Sequence, residues 1–373
     1  MKNNPLRQLE TLGQSIWLDY IRRDLIAGGG LRRLIEDDGL RGMTSNPAIF
    51  EKAIVESEEY EQDIRTLALE RRGAREIYET LTQRDVQSAA DEFRPLYDRT
   101  EGKDGYVSLE VNPHLAHDTN GTLQEARRLW GALNKPNVFI KVPATVEGLP
   151  VIQQLIGEGI NVNVTLIFGL PRYRQVAEAY IAGLEARMAQ GQVVKRVASV
   201  ASFFVSRIDS VLDPLLDAIH AKGGKGTDLA RDLRGHVAVA SAKRAYQIYK
   251  EIFCAVRFKK LTEAGARVQR LLWASTGTKN PNYSDVKYVE SLIGPDTVNT
   301  APLETLDAFR NHGVAKASLE DGGAEAAHVL NRLPELGINL DKVSQQLEDE
   351  GVTKFNQPFD KLMATLAQRS PSQ

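Results

Sequence analysis

The 373-residue chain has one cysteine, four methionines and three tryptophans, and it holds no apolar run near the ~20 residues that a transmembrane helix requires. A single cysteine excludes an internal disulfide and any metal site built from several thiolates. Cys254 stands in KEIFCAVRF, among apolar residues at helical spacing, and is expected to be a small buried hydrophobe rather than a reactive thiol. The first residues, MKNNPLRQLE, lack the apolar centre of a secretory signal, so a cytoplasmic protein without a membrane partner is expected. Charge of one sign is lacking too. Lys plus Arg number 47 against 49 Asp plus Glu, which leaves no net field for polyanions and counts against nucleic-acid binding. Low-complexity tracts and fixed-period repeats are absent. The glycine clusters GGG (28–30) and GGKG (223–226) do not follow strand-like runs, so neither is a phosphate loop. Among the six histidines only His114 and His117 are close, with no further ligand nearby, and no metal site is expected.

What the chain does have is 42% hydrophobic residues in short β-like runs separated by helix-sized gaps. Runs near 15–21, 40–46, 106–112, 137–144, 160–168, 196–204, 270–277 and 296–302 read as eight strands. Between them lie segments such as GTLQEARRLWGALN, LPVIQQLIGEG and LETLDAFRNHG, apolar at three- and four-residue spacing. Parallel strands require crossovers of a dozen or more residues, and each gap is long enough. A doubly wound sheet and a (β/α)8 TIM barrel both fit; eight strands favour the barrel, as one domain over residues 1–373. Two gaps, 47–105 and 208–268, exceed a barrel's needs and read as additional helices. After 337 a further amphipathic helix runs to KLMATLAQ, followed by a frayed SPSQ.

Two strands are polar on one face. YVSLEVN sets Ser108, Glu110 and Asn112 opposite Val107, Leu109 and Val111, and INVNVTLIF sets Asn161, Asn163 and Thr165 opposite Val162, Val164 and Leu166. In a barrel the outer face meets helices, so the polar set points into the lumen; an antiparallel sheet with one wetted face is the alternative. Within VFIKVPAT, Lys141 is flanked by apolar residues. Burial disfavours an ammonium, and a neutral lysine amine attacks carbonyls to form a Schiff base. A snorkelling side chain or a structural ion pair with Glu110 would explain the same residue. Asp19 and Glu110, each in an apolar run, are candidate general acids or bases. Arg207, after ASFFVS, and Lys279, after ASTGT, stand where barrels bind phosphate.

Taken in order, GMTSNPAIF (42–50), VSLEVNP, FIKVPAT, GINVNVTLIF, SFFVSRID and WASTGTKNP resemble the transaldolases of the longer bacterial type, over nearly the whole chain. The resemblance implies a class I aldolase-type barrel that moves a dihydroxyacetone unit between sugar phosphates in the non-oxidative pentose phosphate pathway, without a cofactor. It places Lys141 as the Schiff-base lysine, Asp19 as the acid/base at the bond broken, and Glu110 with Thr165 as holders of a catalytic water. Thr44, Asn46, Ser108, Asn163 and Ser202 match the lining of the dihydroxyacetone site, and Arg207 with Ser275 matches phosphate ligands. Shorter family members carry a second phosphate arginine after the seventh strand; here the TGTKN turn puts Lys279 in that place. Phe204 fits a need to keep water from the carbanion-like intermediate, with ordinary packing as its alternative. A simple aldolase and a noncatalytic sugar-phosphate binder remain open, as do a monomer and a homodimer.

Overall fold

All eight runs form strands: β1 Gln14–Asp19, β2 Gly42–Thr44, β3 Tyr106–Glu110, β4 Val138–Pro143, β5 Val162–Ile167, β6 Ser199–Phe204, β7 Arg270–Ala274 and β8 Thr297–Ala301. They pair in parallel in chain order, and β8 returns to β1 with Gln14 opposite Thr297, closing an eight-stranded barrel. This is the (β/α)8 architecture with extra helices, seen here in a computed structural model that describes residues 4–369. The SPSQ tail lies outside the described residues.

Closure explains why the strands read as near-continuous apolar runs, since one face meets the helices and the other meets the lumen. The long segment between β2 and β3 folds as Pro47–Glu56, Glu61–Leu69 and the long helix Ala74–Arg99. That between β6 and β7 contains Ser206–Lys222, Thr227–Leu233, Val237–Phe253 and Val256–Glu263. Between β7 and β8 there is only Lys287–Glu290. After β8 the last helix of the described residues, Leu340–Arg369, crosses the C-terminal mouth of the barrel. Among the described residues no helix is long and apolar enough to cross a membrane.

Contacts between non-adjacent strands show how the lumen is layered. At the N-terminal end, Arg270 on β7 donates to Ser15 on β1 (2.8 Å) and to Asp104 (2.9 Å), and Arg41 donates to the other Asp104 oxygen (2.7 Å). Above this, Tyr106 stacks on Phe139 at 4.3 Å and Trp17 on Phe139 at 6.1 Å between ring centres. Gly42 lies against the indole: a Cβ there would stand 2.5 Å from the Trp17 ring, so the glycine that opens GMTSNP is required by packing. Next come Ser108, Asn163 and Ser202, joined by Asn163 Nδ2 to Ser108 Oγ (3.0 Å) and Ser202 Oγ to Asn163 Oδ1 (2.7 Å).

Three local features differ from the pattern read in sequence. The β5–β6 register shifts between Val164 and Ile167, and Leu166 has φ +60°. This bulge ends the simple alternation and turns Leu166 towards Gly351 of the C-terminal helix. Asn161 and Asn112, expected in the lumen, serve backbone instead: Asn161 donates to the Pro136 and Val138 carbonyls and accepts from Ala198 N–H, while Asn112 accepts from His114 N–H. Cys254 is exposed, not buried, because its helix ends at Phe253 and the residue after it leaves the apolar stripe.

Burial alone would raise Asp104, but Arg270 and Arg41 outweigh it and hold the carboxyl below its usual 3.8. The stabilisation is therefore present above the unfolded value and is lost as pH falls through the depressed one. Asp104→Asn strands two arginines and should cost about 3–5 kcal/mol in urea unfolding. It should also flatten the acid limb of stability below pH ~4. A variant as stable as the parent would show that this cluster does not hold the barrel's lower end.

Candidate active site

Strands β3 and β4 are in register with Glu110 opposite Lys141, so the parallel ladder itself places a carboxylate beside an amine. Both residues are buried. Lys141 Nζ lies 3.3 Å from Glu110 Oε2, donates to the Ser45 carbonyl at 3.1 Å, and stands 5.3 Å from the centre of the Phe355 ring. The ion pair and the buried amine, alternatives in the sequence, are one arrangement. Burial pushes Glu110 up to about 7 although Lys141 beside it pulls the other way. Its Oε2 has no hydrogen-bond partner of standard geometry in the protein, and neither has Thr165 Oγ1 on the far side of β4.

A cavity of about 270 Å³ opens above this pair. Asp19, at the end of β1, lines it; burial raises its pKa, partly offset by Lys141, by the Thr44 hydroxyl and by Arg207. Thr44 Oγ donates to Asp19 at 2.7 Å and, with that proton committed, accepts from Thr300 Oγ at 2.7 Å, which fixes the carboxylate from the two strands that flank β1. Asn46 also reaches the cavity, and its side-chain oxygen accepts from Ile49 N–H, capping the helix Pro47–Glu56.

Arg207, Ser275 and Lys279 form the other end of the cavity. Arg207 has no ion-pair partner among the described residues, and burial lowers its pKa, with Asp19, Glu350 and Glu110 opposing. Its guanidinium lies 5.0 Å from the centre of the Phe204 ring. Lys279 is also lowered, by burial and then by repulsion from Arg207 and Lys354. Ser275 has φ +56°, a strained setting for a non-glycine residue, and its hydroxyl is 3.0 Å from that of Ser206. This end of the cavity thus sets two desolvated cations that repel one another beside two hydroxyls, groups of the kind that pair with anions.

Of the residues singled out in sequence, Asp19, Thr44, Asn46, Lys141, Thr165, Ser202, Phe204, Arg207, Ser275 and Lys279 all line the cavity. Glu110 stands behind Lys141, and Ser108 and Asn163 lie in the layer below, reaching the cavity only through Ser202. Sequence reading missed Thr300, Glu304 and Phe355, which also line it. In TVNTA three of five residues are polar, so the alternation that exposed β3 and β5 is blurred; Phe355 belongs to an apolar stripe that looks like any other. Among the described residues no group of three or more His, Cys, Asp or Glu could hold a metal. His114 and His117 face Asp360 and Glu147 instead.

The family described as "Transaldolase/Fructose-6-phosphate aldolase" matches residues 16–366. Proteins named transaldolase from Trichodesmium erythraeum and Saccharopolyspora erythraea are 48% and 46% identical to this chain, covering 99% and 98% of it and 98% of their own lengths. "Transaldolase 2" of Streptomyces coelicolor is 46% identical over 98% of both chains. A match along the entire barrel, helical additions included, leaves no segment that needs another origin, and the chain belongs to the transaldolase/fructose-6-phosphate aldolase family.

Proposed function

We propose that this chain is a transaldolase that works through a Schiff base on Lys141, with Asp19, Glu110 and Thr165 moving protons. The observation that carries the reading is an amine at the cavity wall, with Glu110 3.3 Å behind it and Asp19 in the same cavity. The substrates are sugar phosphates: sedoheptulose 7-phosphate or fructose 6-phosphate as donor, glyceraldehyde 3-phosphate or erythrose 4-phosphate as acceptor. This is a step of the non-oxidative pentose phosphate pathway, carried out in the cytoplasm.

The donor's phosphate sits between Arg207, Ser275 and Lys279, which brings its carbonyl to Lys141. Passing the ammonium proton to Glu110 turns a charged buried pair into a neutral one, which burial favours, and leaves a nucleophilic amine. Attack gives a carbinolamine; a water held by Glu110 and Thr165 delivers the proton with which its hydroxyl leaves. The resulting iminium is the electron sink. Asp19, oriented by Thr44, removes the C4 hydroxyl proton, the C3–C4 electrons flow into the iminium, and the aldose phosphate departs. The enamine stays attached until an acceptor aldehyde arrives and the steps reverse.

Holding that enamine against protonation by water separates transfer from simple cleavage. Phe204 offers no hydroxyl to orient water, and it packs on Phe168 with ring centres 5.1 Å apart. The family description names fructose-6-phosphate aldolase as well, so the two chemistries are separated by whether fructose 6-phosphate turnover requires an acceptor.

Borohydride added with fructose 6-phosphate should fix a three-carbon adduct on Lys141, seen by peptide mass spectrometry, and Lys141→Met should abolish both adduct and turnover; an adduct elsewhere would sink the proposal. The pH profile of kcat/KM should carry an acid limb near the value of about 7 at which Glu110 titrates, because the carboxylate is the proton acceptor. Glu110→Gln should lose that limb along with about 10²–10⁴ of the rate; an unchanged profile would remove Glu110 from the mechanism. Phe204→Tyr should raise acceptor-free release of dihydroxyacetone from fructose 6-phosphate, and an unchanged rate would reduce the ring to packing.

A further inference from the structure

A second cavity, of about 380 Å³, opens at the opposite, N-terminal end of the barrel. It is larger than the cavity above Lys141, and no step of the reaction uses it. Barrel enzymes keep their chemistry at the C-terminal face, so a hollow here serves neither catalysis nor a filled core. Its floor is the underside of the aromatic layer, formed by Tyr106, Phe139 and Val200, each at most 2% exposed. Its mouth is polar and open. Lys103 and Lys195 stand there exposed and without an ion-pair partner among the described residues, beside Arg267.

These cations are not equivalent. Arg267 spends both terminal nitrogens on the Glu101 and Gly102 carbonyls, closing the C-terminal end of the helix Ala74–Arg99, so its side chain is fixed. Arg270 is tied to Asp104 and Ser15. The two lysines are free to move towards a guest and the fixed Arg267 adds to the same field, whereas Asp104 compensates the charge of Arg270. Four basic residues line the cavity against two acids, Glu101 and Asp296.

We infer that this cavity is a second ligand site, one that takes a small amphiphilic anion with a planar apolar body and a single acidic group. The body rests on the Tyr106 and Phe139 side, and the acid faces Lys103 and Lys195 at the mouth. Small-molecule sites combine this kind of largely apolar enclosure with a few polar groups, and the volume lies within their ordinary range. Aromatic rings on the floor favour a flat partner. A fully polar sugar phosphate would leave its hydroxyls unpaired against that floor, so the catalytic substrates are poor guests here.

The test uses 8-anilinonaphthalene-1-sulfonate, an aromatic sulfonate whose fluorescence rises on apolar binding, with the intact folded chain. One saturable site is expected, unaffected by saturating fructose 6-phosphate. Lys103→Glu with Lys195→Glu should weaken it by roughly ten-fold, since two favourable charge contacts become repulsive. The same variant should keep full turnover, which shows that the fold is intact. Ala198→Phe, filling the cavity from β6's approach, should abolish binding. Displacement by fructose 6-phosphate, binding that the lysine pair and the filled cavity leave unchanged, or no saturable binding at all would overturn the assignment.

Discussion

The structure turns on one buried pair. Glu110 and Lys141 face each other across the β3–β4 ladder because the register matches them, and their 3.3 Å separation follows from strand geometry rather than from a flexible loop. Taking two charges out of water is costly, and their attraction does not guarantee a net gain. A chain selected only for stability would put well-packed apolar residues at both positions. The surroundings do not neutralise the pair either: Lys141 donates one hydrogen bond to the Ser45 carbonyl, while Glu110 Oε2 has no hydrogen-bond partner of standard geometry in the protein. What this arrangement does supply is a short path for a proton between carboxylate and amine, which a Schiff-base cycle needs at both ends.

The two ends of the barrel use the same kinds of group to opposite effect. At the bottom Asp104 has two arginines and a serine hydroxyl around it, and the attraction overcomes burial to hold the carboxyl below its ordinary range. At the top Glu110 has one lysine, and burial wins. The number of partners decides which carboxylate is a fixed charge and which can exchange a proton near neutrality. Between them lie the aromatic layer and the Ser108–Asn163–Ser202 chain. In that chain Asn163 donates to Ser108 and accepts from Ser202, and the polar layer carries the serine that reaches the cavity without leaving the asparagine unpaired.

Much of this was readable in the sequence, for a physical reason. A closed parallel sheet forces apolar strands separated by helix-sized crossovers, and ionisable groups aimed at the lumen interrupt that regularity, so Lys141, Glu110 and Asp19 stand out as exceptions inside runs such as VFIKVPAT. What stayed hidden depends on pairing across the fold. Asp104 precedes β3 in an unremarkable DGY, and only closure brings it to Arg270. The bulge at Leu166 and the left-handed backbone at Ser275 are set by tertiary contacts, with no glycine to announce them. Ser108 and Asn163 show the limit of the period-two argument: it assigned both to the lumen, which is right, but cannot say at what depth. Cys254 shows the limit of helical periodicity, which holds only while the helix lasts.

The anion end of the cavity completes the logic of the buried pair. Arg207 repels Lys279, and the fold keeps both partly desolvated without an ion-pair partner among the described residues. A phosphate dianion placed between them, as proposed, would relieve both costs, so part of its binding free energy would be the relief of that repulsion. In the proposed mechanism that energy arises far from the bond being made and would serve to orient a carbonyl against Lys141. Phe204 joins the two ends physically: Arg207 lies over one face of the ring, and the ring also packs on Phe168 beside the β5 bulge that ends the strand carrying Thr165. In the proposed mechanism a phosphate bound at Arg207 would steady the ring that is proposed to keep water from the enamine, which would tie substrate recognition to the choice of transfer over cleavage.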